Sequence, residues 1–116
     1  DTDRMGVVYY SNYFVWFEIA RTELFRHLKL NYKDIEKQGL YLVVAETSCR
    51  YLAPARYDDE VSVSCRVKEM RRSSLAFEYS VKRGDELLAE GKSVHVFTGK
   101  NFKPCKIPDY VKEKLK

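Results

Sequence analysis

The long helix implied by residues 11–29 constrains the fold of this chain more than any other segment. Residues 13–17 are apolar without interruption, a run that periodicity alone does not assign to a helix or to a strand. The residues that follow decide it, because apolar side chains then recur at helical spacing, at Phe17, Ala20, Leu24 and Leu28. Ser11 or Asn12 is a suitable N-cap. The first half of the segment is apolar on nearly every side, which predicts a helix enclosed by other elements.

After residue 39 the periodicity changes from that of a helix to that of strands. Apolar and polar residues alternate, so one face of each strand should be buried and the other exposed to water, as in antiparallel sheets. The expected strands are residues 42–51, 61–67, 75–81 and 87–98. Turns are expected at 71–73 and 83–86, loops at 53–59 and 101–108, and short helices at 32–38 and 109–116. The prediction is an α+β fold in which a curved antiparallel sheet wraps one long central helix.

The 116 residues are expected to form a single domain spanning residues 1–116, long enough to bury a core without metal or disulfide support. One helix and four or five strands leave open sheet edges, which two subunits can remove by pairing edge to edge. We therefore expect a homo-oligomer, with a homodimer as the smallest solution and a homotetramer as the next.

Composition excludes several classes of protein. No apolar run approaches the ~20 residues that a membrane-spanning helix needs. The net charge of +4 comes from 21 basic residues interspersed among 17 acidic ones, which is too mild a balance to indicate a nucleic-acid partner. The three cysteines, Cys49, Cys65 and Cys105, have no disulfide or metal-site spacing, so we expect buried thiols in a reducing, cytoplasmic compartment.

Two carboxylates precede the apolar helix, and they are the strongest candidates for chemistry. The chain has only two histidines and lacks a glycine-rich phosphate loop or a cluster of metal ligands, so we expect no cofactor and no metal. Asp1 and Asp3 lie just before a helix N-terminus, whose unpaired N–H groups attract negative charge. A carboxylate there can attack a carbonyl or activate water, while the N–H groups stabilise the oxyanion. Alternatively, both aspartates only complement the helix dipole.

Three segments resemble one family. The segment "DTDRMGVVYYSNYFVWFEIARTELFRHL" resembles the active-site segment of the YbgC-type acyl-CoA thioesterases, in the 4-hydroxybenzoyl-CoA thioesterase (hotdog-fold) superfamily. The segments "YLAPARYDDEV" and "MRRSSLAF" match two further family patterns, and the resemblance spans nearly the whole chain. It implies a hotdog fold whose first strand precedes Asp1, and it assigns the catalytic carboxylate to Asp3. It also implies that the backbone N–H near Tyr10 polarises the thioester carbonyl, although many members carry histidine where this chain has Tyr10.

Four further residues are expected to contact substrate. Gly6 would let the backbone approach it closely, and Asn12 would cap the helix or orient the loop by a hydrogen bond. Arg71 and Arg72 lie in a turn, where relatives place basic residues for the phosphates of CoA. A solvated hairpin tip is an equally good interpretation of these two arginines, and Arg56 is expected to pair with Asp58 or Asp59.

The resulting prediction is hydrolysis of a short-chain acyl-CoA to the free acid and CoA. Whether Asp3 is the nucleophile or the general base stays open, as does the choice between CoA and carrier-protein thioesters. A non-catalytic module that binds acyl-CoA or an acyl carrier is the alternative, and it would have no need of Asp3. A dehydratase acting on β-hydroxyacyl thioesters is weaker, because that chemistry usually pairs a histidine with a carboxylate.

Overall fold

Helices flank a single antiparallel sheet in the computed structural model, which describes residues 10–56 and 58–116. Three helices and four strands lie in these ranges. The helices are α1 (Tyr10–His27), α2 (Tyr32–Lys37) and α3 (Asp109–Leu115), and the strands are β1 (Tyr41–Tyr51), β2 (Ser62–Met70), β3 (Ser74–Arg83) and β4 (Glu86–Thr98). The expected α+β class is confirmed, and so are the seven expected elements. Their observed ends differ from the expected ones by no more than two residues, except at the end of β2, where the difference is three residues.

The sheet has the order β1-β4-β3-β2, and every neighbouring pair is antiparallel. Strand alternation gives it one buried face, which β3 lines with Leu75, Phe77, Tyr79 and Val81. Register shifts that interrupt the ladders, as β-bulges do, lie in all three strand pairs, and bulges of this kind bend and twist a sheet. Among the described residues β1 and β2 are the edge strands, each paired on one side only.

Helix α1 lies on the buried face, across β2 and β3. The ring of Phe17 stacks on Tyr79 with centroids 4.5 Å apart, and Phe25 lies 5.9 Å from Phe77. The part of the chain that the structure describes does not enclose the helix, because Val15 is 48% exposed and Ile19 is 56% exposed. The predicted enclosure is therefore wrong for one subunit, since the sheet covers only one side of the helix.

The two ends of α1 differ in how well the sequence predicted them. The helix contains Tyr10, so Ser11 and Asn12 lie inside its first turn and the predicted N-cap is wrong. At the other end Lys29 has φ 61°, and the N–H of Leu30 donates to the carbonyl of Phe25 at 2.8 Å, as in a Schellman motif. This motif reverses the chain and buries Leu30 under the helix end.

The end of the molecule near the α1 C-terminus is closed by α2, α3 and the loop before α3. Ile35 of α2 and Val111 and Leu115 of α3 are buried there. Gln38 donates a hydrogen bond to the Tyr110 hydroxyl at 2.9 Å, and Lys114 donates to the carbonyl of Lys29 at 3.1 Å. The opposite end of the sheet, where α1 begins, is covered by the segment between β1 and β2.

Candidate functional site

The start of α1 meets the segment between β1 and β2. Tyr13, in the first turns of the helix, is 2% exposed, and its ring lies 4.9 Å from that of Tyr51. The backbone of Ala55, a fully buried residue, hydrogen-bonds the Tyr13 hydroxyl. Burial raises the pKa of Tyr13 despite this hydrogen bond, so the phenol stays neutral at physiological pH. The structure thus brings residues 10–28, the described part of the first family segment, into contact with the second segment at Tyr51 and Ala55.

Asp59 holds the segment between β1 and β2 in place. Its carboxylate accepts the backbone N–H of Arg56 at 2.7 Å and the Arg83 guanidinium at 2.6 Å. The Arg56 N–H and the Arg83 guanidinium both lower the pKa of Asp59. The expected interaction of Arg56 with Asp59 is made by the Arg56 backbone N–H, and the Arg56 charge also lowers the pKa of Asp59. The close ion pair with Asp59 is made by Arg83 of β3.

The remaining predicted residues around the start of α1 are only partly described. Tyr10 is in the helix, at the end whose N–H groups have no acceptor within the helix itself. Asn12 is half-buried in the first turn. Asp3 and Gly6 lie outside the described residues, so their predicted roles stay predictions. A helix start of this kind can stabilise negative charge that develops on a carbonyl oxygen.

Arg71 and Arg72 lie at the other end of the sheet from the start of α1. Ala89 of β4 pairs with Tyr51 of β1 on one side and with Val81 of β3 on the other, and these three residues lie at the end of the sheet near the start of α1. From Val81 to Ser74 the strand extends for about 23 Å at the usual rise. Arg71 is exposed and donates to Glu69 at 2.8 Å. Within one subunit, the structure does not bring these two arginines to Tyr10.

The outer face of the sheet holds two open depressions, of about 590 and about 200 Å³. Lys92 lines both, and Arg71 lines the smaller one. Acidic and basic side chains alternate across this face. Glu78 forms ion pairs with Arg66 and with Lys68, and Glu90 forms one with Arg50. A third depression, of about 440 Å³, lies between α1 and β2 and has a mostly apolar lining that includes Trp16, Leu24 and Val63.

A buried polar chain connects α1 to the sheet, and sequence reasoning missed it. Arg21 donates to the Tyr79 hydroxyl at 3.0 Å, and that hydroxyl lies 2.6 Å from the Ser93 hydroxyl. The Ser93 hydroxyl in turn lies 2.9 Å from His95 Nε2. Burial, and then the positive charge of Arg21, lower the pKa of His95 to about 4. The sequence did contain a signal for this contact. Arg21 follows Phe17 by one helical turn, so the two side chains must lie on the same, buried face of the helix.

The histidines have the structural roles expected of them. His95 packs in the core against Phe77, and His27 is exposed on α1. The cysteines were expected to be buried, but all three are only partly buried, and all three are free. Burial raises the pKa of Cys65 to about 12, which removes it as a thiolate nucleophile at physiological pH. Among the residues that the structure describes, no helix is both long and apolar enough to cross a membrane.

Comparisons with known proteins agree on one family. A family model described as the thioesterase-like superfamily matches residues 1–115. The Haemophilus influenzae protein named acyl-CoA thioesterase YbgC is 36% identical over 115 residues, which cover 97% of this chain and 84% of that protein. A crystal structure of a hypothetical protein from Aquifex aeolicus aligns with a TM-score of 0.91 at 36% identity, covering 99% of this chain and 90% of that one. A DHNA-CoA thioesterase structure from Staphylococcus aureus aligns with a TM-score of 0.85 at 31% identity, covering 97% of this chain and 76% of that one.

Proposed function

The chain belongs to the thioesterase-like superfamily as a hotdog-fold acyl-CoA thioesterase of the YbgC type, and we propose that Asp3 and the start of α1 form its catalytic site. The observation that carries the proposal is the contact of Tyr13 with Tyr51 and Ala55. It brings two separate family segments to the helix end that follows Asp3 by seven residues. A helix start that is anchored by a buried tyrosine such as Tyr13 is a preorganised donor of N–H groups.

In the proposed reaction the thioester carbonyl oxygen accepts a hydrogen bond from the backbone N–H of Tyr10. Attack on the carbonyl carbon places negative charge on that oxygen, and the N–H group and the helix dipole stabilise it. If water attacks, Asp3 takes its proton as a general base. If the Asp3 carboxylate attacks, an acyl anhydride forms, and water then hydrolyses it. Both routes break the carbon–sulfur bond, release CoA and leave the free acid.

The proposed substrates are short-chain acyl-CoA molecules. Gly6 lets the backbone come close to the acyl group, and Asn12 orients the start of the helix. Arg71 and Arg72 are proposed to bind the phosphates of CoA by charge-assisted hydrogen bonds. The Staphylococcus relative is named for an aromatic acyl-CoA, so aromatic thioesters are the natural comparison for short aliphatic ones.

A homo-oligomer is proposed as the active form, with a homodimer as the smallest. Strand β1 pairs with β4 alone among the described strands, which leaves its other edge open to a second copy. The exposed side chains Val15, Ile19 and Val44 supply apolar surface that a partner subunit can cover.

A substrate panel tests the proposed function. Free thiol released by the purified protein is measured with acetyl-, butyryl-, octanoyl- and benzoyl-CoA, and with the same acyl groups on a carrier protein. We expect turnover to be fastest with the short acyl-CoA molecules. Fastest release from the benzoyl or carrier-protein thioesters would contradict the proposed substrate class, and release from none of them would contradict the proposed activity.

A further inference from the structure

Phe17 of helix α1 packs closely against Gly91 of β4. A Cβ atom built at Gly91 would lie 2.3 Å from Cε2 and 2.5 Å from Cζ of Phe17. It would also lie 3.0 Å from the backbone oxygen of Ser48 on the neighbouring strand. Side-chain atoms do not tolerate such distances, so any other residue at position 91 would push the helix away or force the ring to turn.

The backbone conformation of Gly91 gives no other reason for a glycine. Its φ lies outside the left-handed region, whereas Gly39 and Gly84 have φ of 80° and 59°. A glycine inside a strand destabilises the fold relative to alanine, because it loses more backbone entropy on folding and has no side chain to pack. Its presence at position 91 is therefore explained by the close approach of Phe17 and of the Ser48 backbone oxygen.

Tyr79 of β3 fixes the position of the helix at the same level. Its ring stacks on Phe17 at an interplanar angle of 15°, and its hydroxyl accepts a hydrogen bond from Arg21 at 3.0 Å. Phe17 and Arg21 are one helical turn apart and face the same side. The ring contact sets how deep the helix lies, and the hydrogen bond sets its position along its own axis.

The depth of α1 at Phe17 determines where the helix begins. Tyr10 precedes Phe17 by two turns, or about 10 Å, and a helix of this length moves as a rigid rod. A shift at Phe17 therefore moves the first-turn N–H groups relative to Ala55 and the loop around it.

We propose that Gly91 is a positioning residue for the thioesterase reaction. Its missing side chain lets α1 dock at the depth that places the Tyr10 N–H against the thioester carbonyl. The proposal rests on the proposed function, because it assumes that this N–H stabilises the oxyanion. Displacing a catalytic group by about 1 Å can lower turnover about 100-fold, so a methyl group at position 91 is large enough to matter.

The variant Gly91→Ala tests this proposal, with Gly99→Ala as the matched control. Gly99 adjoins the end of β4, lies outside the left-handed region, and has Asn101 Oδ1 at 3.7 Å as its nearest neighbour. Steady-state kinetics are measured with butyryl-CoA well below the unfolding temperature, and kcat is divided by the folded fraction from circular dichroism. We expect Gly91→Ala to lower kcat about 10- to 100-fold with KM within about twofold, and Gly99→Ala to retain the parental kcat.

A rescue variant separates positioning from simple destabilisation. Phe17→Leu removes the ring atoms that meet the new methyl group, so Gly91→Ala combined with Phe17→Leu should recover most of the lost kcat. Parental kcat in folded Gly91→Ala, or a double variant no faster than Gly91→Ala, would overturn the proposal. Should Gly91→Ala fail to fold, the double variant decides, because removing the clash should restore both folding and most of kcat. A double variant that does not fold, or that folds with kcat still lowered about 10-fold or more, would overturn the proposal. A parental protein without thioesterase activity would instead refute the proposed function.

Discussion

Among single residues, Tyr79 contacts both the helix α1 and the neighbouring strand β4. Its hydroxyl accepts a hydrogen bond from Arg21 and also bonds to Ser93, so the half-buried guanidinium has a polar partner at the core. Tyr32 of α2 is a second acceptor for Arg21, at 3.4 Å. A half-buried guanidinium loses part of its hydration, and these two phenols replace the lost hydrogen bonds.

The same buried chain makes the stability of the fold depend on pH. The pKa of His95 is about 4 in the folded protein against an ordinary value of 6.5, because the ring is buried and close to Arg21. The folded state thus takes up a proton at His95 less readily than the unfolded state. The stability contributed by neutral His95 is complete above pH 6.5 and is lost progressively as the pH falls towards 4.

We expect this histidine to contribute about 2 kcal/mol to the fall in unfolding free energy between pH 7.5 and pH 5. Urea unfolding at the two pH values measures the fall in the parental protein, in His95→Gln and in His27→Gln. The fall should be smaller by that amount in His95→Gln, and unchanged in His27→Gln, because His27 is exposed. An equal fall in all three proteins would contradict the assignment to His95.

Among the elements, the strands were well predicted because buried and more exposed residues alternate along most of β3, from Phe77 to Lys82, and along β4 from Ser93 to Phe97. The end of α2 at Gly39 was also predictable, since that residue has φ 80°. The start of α1 was not, because Ser11 and Asn12 both resemble caps and only the tertiary structure shows that they lie inside the helix. The Arg21–Tyr79 contact was missed because it joins residues 58 positions apart.

At the scale of the whole molecule, the apolar faces of α1 and β1 have a common explanation. The sequence indicated an enclosed helix, yet one subunit leaves Val15 and Ile19 exposed, and it leaves Val44 of the edge strand 54% exposed. A second copy paired along β1 can cover such surface, which periodicity within one chain cannot reveal. Periodicity also cannot reveal how far Arg71 and Arg72 lie from the start of α1. Only the folded sheet shows that distance.

We therefore expect the protein in solution to have at least twice the 13.7 kDa mass of one chain. Light scattering after size exclusion measures this mass for the parental protein, for Val44→Lys on β1 and for Ser62→Lys on the other edge strand. A lysine on β1 should weaken edge pairing and lower the mass, whereas the lysine on β2 should leave it unchanged. A parental protein with the mass of one chain would contradict the proposed oligomer.

Turnover by Asp3→Asn shows whether the Asp3 carboxylate acts on a thioester held at the start of α1. Asparagine keeps the size of the side chain but can neither form the anhydride nor take a proton from water. We expect kcat for butyryl-CoA to fall by about 100-fold or more, while the oligomer and its unfolding temperature stay as in the parental protein. Asp85→Asn, in the exposed turn between β3 and β4, should retain full activity. Hydrolysis by folded Asp3→Asn at the parental rate would contradict this role of Asp3.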